Sequence, residues 1–164
     1  MFREFVESCF ATLRQLDANA AKSKFGLIWA AFASKKIVLK QGVVQLSWRD
    51  LSAQLAMIYN DWFGLQFTTD AFYNAYDYKK PMGESEEYDE VLLMIHQHPE
   101  CNGIFIVHNS TMMSSVATCV AFSQTDIVTG EQQYFKQAYE NGRPTSEPER
   151  ITPEEHDRLC YSAR

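Results

Sequence analysis

Two groups of side chains carry the donor atoms best suited to metal chemistry. His96-Gln97-His98-Pro99-Glu100-Cys101 places imidazole nitrogen and cysteine sulfur within six residues, and His156 and Cys160 stand at i and i+4, one helical turn apart. Brought together, His96 or His98, Cys101, His156 and Cys160 compose a Cys2His2 set of the kind that holds tetrahedral zinc. Their spacing departs from a standard finger, in which the cysteines and the histidines are each grouped by type. The simpler reading is a histidine tract favoured by the negative end of a helix dipole, and a last helix with one inward cysteine. No metal is assigned.

Nucleophilic chemistry can be assembled from Cys119 or Ser114 with His108. The local context for it is missing: no glycine-flanked serine elbow, no phosphate-cradling glycine loop and no paired-histidine metalloprotease helix occurs in the chain. Seven glycines in 164 residues leave few positions for backbone-lined anion or cofactor sites. No catalytic residue and no cofactor is therefore assigned. A non-catalytic protein is expected, and an enzyme of unassigned class is the third of three readings.

Charge gives the other two. Residues 1–80 hold ten Lys/Arg against seven Asp/Glu, whereas residues 81–164 hold five against fourteen. Between Lys22 and Arg49 the chain carries Lys22, Lys24, Lys35, Lys36, Lys40 and Arg49 and no acid. Such a stretch is a candidate footprint for an anionic partner, and contacts to phosphate dominate nucleic-acid affinity. In the second half Glu84, Glu86, Glu87, Asp89 and Glu90 fall within seven residues. Glu147, Glu149, Glu154, Glu155 and Asp157 form a second acidic group. Either group suits a basic protein surface.

The elements that would position these residues follow from periodicity and capping. Phe2, Phe5, Val6, Cys9, Phe10, Leu13 and Leu16 mark one face of a helix over 2–16. A second helix is expected from Ser23 to Lys36, with Phe25, Ile28, Trp29 and Phe32 on one side and lysines at its C-terminal end. Residues 37–46 read as a strand, a small hairpin or an extended link. Ser47 and Asp50 have the form of a capping box opening a third helix to Trp62, Gly64 suits the left-handed position after it, and Thr68 or Thr69 caps a fourth through Tyr78. Pro81-Met82-Gly83 is the clearest boundary, and it coincides with the change of charge.

Beyond it, Ser85 caps a helix with Tyr88, Val91, Leu92 and Ile95 inward, ending before Pro99. Residues 103–107 and 116–122 read as buried strands, and 126–130 as turn and short strand. Residues 132–139 read as strand or helix, and 141–150 as a polar loop. Thr152-Pro153-Glu154-Glu155 opens a last short helix.

The segment Leu46 to Lys80 resembles, in outline, the helix-turn-helix modules of phage and bacterial DNA-binding proteins: a capped helix, a glycine turn and a second helix with Ala71, Phe72 and Ala75 inward. The resemblance implies that Thr69, Tyr73, Asn74 and Tyr76 approach DNA while Lys79 and Lys80 hold its backbone; Asp70 and Asp77 oppose it. In size and charge the chain is also similar to small inhibitor proteins of phages and plasmids.

The expectation is an α+β protein, with a helical, helix-turn-helix-like module over 1–80 and an acidic module over 81–164, a small sheet with flanking helices packed on the first. The leading function is a regulator that binds DNA through the Lys22–Arg49 surface and the Thr69–Lys80 helix. The alternative is an inhibitor or adaptor of the mobile-element type whose acidic half binds a basic protein, and a homodimer is compatible with both. Free cysteines in apolar patterns, short apolar runs and an early acid at Glu4 point to a cytoplasmic protein without a membrane partner.

Overall fold

The structure, a computed structural model, describes residues 1–76, 85–113 and 118–162, with side chains described throughout these except at 73–76, 109–113, 118 and 160–162. The expected end of the fourth helix, the Pro81-Met82-Gly83 boundary, Lys79, Lys80, Glu84 and Ser114 lie outside the described residues. Helices and an antiparallel sheet are both present, and the chain divides into two compact units, Met1–Ile104 and Phe105–Arg164. Among the described residues no helix is long and apolar enough to cross a membrane.

The first unit is helical. Helix α1 (Phe2–Cys9) buries Phe2, Phe5 and Val6, and the chain then tightens into a 3-10 turn over Ala11–Gln15. The single helix expected over 2–16 is thus two pieces on one apolar face, since Phe10 and Leu13 are buried as well. Helix α2 (Ala18–Ser34) starts earlier than expected because the Asp17 carboxylate accepts the backbone N–H groups of Asn19 and Ala20 at 2.9 and 3.1 Å. It ends before Lys35 and Lys36, so those lysines lie beyond its last turn. Phe25, Ile28, Trp29 and Phe32 are buried on the expected side.

Strands β1 (Lys36–Leu39) and β2 (Gly42–Val43) form a hairpin, with Leu39 opposite Gly42 and Gly42 at φ 137°. Helix α3 (Trp48–Phe63) opens on Ser47, whose Oγ accepts the Asp50 N–H at 3.1 Å, and closes on Gly64 at φ 64°. Helix α4 (Thr69–Tyr76) is capped by Thr68, and the Asn60 side chain clasps the intervening turn through both the N–H and the C=O of Phe67. Tyr59 fills the angle between the two helices, its ring 5.4 Å from Phe72. Helix α5 (Glu86–Gln97), capped by Ser85, buries Tyr88, Val91, Leu92 and Ile95 against α2. The composition changes at Pro81, yet α5 belongs with the helices before it.

The second unit is an antiparallel sheet in the order β3 (Cys101–Met113), β4 (Thr118–Asp126), β5 (Gln132–Glu140), with the short β6 (Arg143–Pro144) and β7 (Glu149–Ile151) both on β5. Its first strand begins at the end of the first unit. Helix α6 (Pro153–Ser162), capped by Thr152, covers β4 and β5. Ala121 and Ser123 are buried on that face, and on the opposite face Phe122 and Phe135, directly paired, stack at 5.3 Å. Ile106 and Val107 are 39 % and 41 % exposed, so the run 103–107 is buried only in part. Residues 141–150 are not loop throughout, because β6 and most of β7 lie within them.

Candidate functional site

Two of the histidines and cysteines, His98 and Cys9, hold together the ends of α1 and α5. The Nδ1 of His98 accepts the Glu100 N–H at 3.1 Å, and its Nε2 lies 3.0 Å from the Ser8 hydroxyl. The pair ties α1 to the turn after α5. It lies in a cavity of about 380 Å³ whose walls include Phe5, Leu39, Gln41 and Glu100. The nearby Cys9 thiol donates to the Met94 carbonyl at 3.4 Å, and burial, with a smaller contribution from Cys101, pushes its pKa up to about 12. It is a thiol and not a thiolate at neutral pH.

The other candidates are separated by sheet register. Cys119 pairs with Met112, whereas His108 pairs with Ser123, so Cys119 and His108 stand four positions apart, roughly 13 Å along the ladder. His156 is buried, with its ring 5.0 Å from Tyr134 and its Nδ1 3.8 Å from Asp157. The Cys160 side chain lies outside the described residues. Among the described residues no three His, Cys, Asp or Glu are grouped to hold a metal ion.

Several of the cations singled out in the sequence have partners within the fold. The Lys22 ammonium lies 4.3 Å from the centre of the Phe67 ring, Lys24 is 3.6 Å from Glu87, and Arg49 is 2.6 Å from Asp70. Lys35 follows α2 and is half-buried; Lys36 opens β1, where burial lowers its pKa. Lys40 is exposed. Thr69 is the half-buried first residue of α4, and Tyr73 and Asn74 lie further along it with side chains outside the described residues. These cations therefore reach α2, the hairpin and α3 rather than one stripe, and Asp70 and Glu87 hold two of them.

The acids of α5 gather more closely. Glu86, Glu90 and Leu93 follow one another at i, i+4 and i+7, and Glu87, Glu90 and Met94 form an adjoining row, opposite the buried Tyr88, Val91, Leu92 and Ile95. Glu86, Glu87, Asp89 and Glu90 are exposed, as are Leu93 (45 %) and Met94 (37 %). Beside this face a pocket of about 80 Å³ opens between the 3-10 turn, α2 and α5, walled by Phe10, Leu13, Ile28 and Val91 and rimmed by Glu87 and Glu90. The acids were legible as a run of charge. Leu93 and Met94 fall outside the inward set Tyr88, Val91, Leu92 and Ile95, and nothing in their spacing marks them as part of a surface.

Comparison with known protein families, with curated proteins and with solved structures yields no match.

Proposed function

We propose that this protein is a non-catalytic regulator that binds a basic protein partner through the acidic face of α5. The observation that carries the reading is that the exposed carboxylates Glu87 and Glu90 and the exposed Met94 border one small apolar pocket, with exposed Leu93 in the adjoining row of α5. Charge alone steers encounter, whereas buried apolar contacts slow dissociation, and this face offers both. The raised pKa of Cys9 and the separation of Cys119 from His108, roughly 13 Å along the ladder, weigh against the nucleophilic alternatives.

DNA binding is the second reading. It is favoured by the clasped α3–Gly64–α4 hairpin and by the exposed Lys40. It is weakened by Asp70 and Glu87, which compete with phosphate for Arg49 and Lys24. Titration of the protein with a histone-like basic protein and, in parallel, with random-sequence duplex DNA from about 50 to about 200 mM salt separates the two. Tight complex formation with the basic protein, lost in an E86K/E87K/E90K variant, is the expected result. Salt-dependent DNA binding that is abolished by K35E/K40E and untouched by the α5 changes would replace it with the second reading.

A further inference from the structure

We infer that the partner segment seated on α5 is rich in lysine or arginine and anchors one aliphatic side chain in the pocket between the 3-10 turn, α2 and α5. This rests on the proposed function and specifies its partner. Acids in the first turn of a helix complement the dipole, and that accounts for Glu86, Glu87 and Asp89 without any partner. It does not account for the opposite end, where Leu93 and Met94 stay in water, nor for the apolar hollow beside Val91.

Charge complementarity sets the class of occupant. Among the described residues no cation of the chain forms an ion pair with Glu86, Asp89 or Glu90, and only Lys24 reaches the group, at Glu87. Lys24 Nζ stands at the pocket rim, where an incoming ammonium or guanidinium would take its place at the Glu87 carboxylate. The fold thus carries its own weak surrogate for the partner's cation. The hollow of about 80 Å³ is walled by the apolar Phe10, Leu13, Ile28 and Val91 and suits an aliphatic side chain.

The test is fluorescence anisotropy with a labelled lysine peptide of about eight residues carrying one central leucine, against the same peptide with serine there. The leucine peptide is expected to bind about tenfold more tightly. T12W, which places an indole at the exposed rim position Thr12, is expected to erase that difference while leaving the charge-dependent part. K24Q is expected to tighten both peptides more than K40Q, although both remove one positive charge. E87Q/E90Q, a milder change than reversal, is expected to weaken both, with circular dichroism confirming the helices. Equal affinity for the two peptides, still dependent on Glu87 and Glu90, would overturn the anchor and leave the acidic interface standing. Failure of both peptides to bind at low salt would overturn the anchor and the interface together.

Discussion

Cys9 and Lys36 each sit where burial works against their charged form, and the two make opposite demands on pH. For Cys9 the native pKa is raised from 9.0 to about 12, so the folded state holds a proton that the unfolded chain releases above pH 9.0. The stability associated with the neutral thiol is fully present below pH 9.0 and falls as pH rises toward 12. Urea midpoints at rising alkaline pH are expected to fall more steeply for the native chain than for C9A. At neutral pH Cys9 should carry about a thousandfold less thiolate than a free cysteine, and iodoacetamide labelling followed by peptide mass analysis is expected to find it protected until the protein unfolds. Lys36 is the converse case. Its ammonium is half-buried and its pKa is lowered by that burial, so K36M is expected to leave the urea midpoint unchanged or raise it. A clear loss of stability in K36M would show that the ammonium holds β1 in place.

Among the elements, α3 was the most readable because each of its ends is fixed by one local group. Ser47 Oγ takes the Asp50 N–H, and S47A is expected to cost about 1 kcal/mol in chemical denaturation. Gly64 at φ 64° has open space where a Cβ would lie, so G64A is expected to cost about 1 kcal/mol from the backbone alone. The start of α2 was less readable. Ala18, Asn19, Ala20 and Ala21 give little hydrophobic contrast, so the periodic signal begins near Phe25 even though Asp17 caps the helix well upstream. The break at Phe10 was hidden for a related reason: the 3-10 turn keeps Leu13 on the same apolar face as the helix before it. Strand β5 was ambiguous because its residues are half-buried from Gln133 to Gln137, which blurs the alternation that identifies a strand. Ile106 and Val107 show the limit of a continuous apolar run, which gives the strand but not the depth at which each residue is buried.

For the whole molecule, the separation of charge along the chain is not carried into the fold. Acidic α5 packs on α2, and Lys24 meets Glu87 across them, so a basic and an acidic segment share one unit. The acids of the candidate site were visible in the sequence because charge needs no packing to be counted. The apolar hollow was invisible because Phe10 with Leu13, Ile28, and Val91 are far apart in the chain and meet only on packing. The central claim, that α5 is the interface for a basic partner, is tested most directly by mapping amide chemical shifts of the labelled protein during titration with a lysine-rich peptide at low salt. The expected result is saturable change concentrated from Glu86 to Gln97 and at Thr12 and Lys24, with the α3–α4 hairpin unmoved. Changes confined to other surfaces, or none at saturating peptide, would contradict the claim.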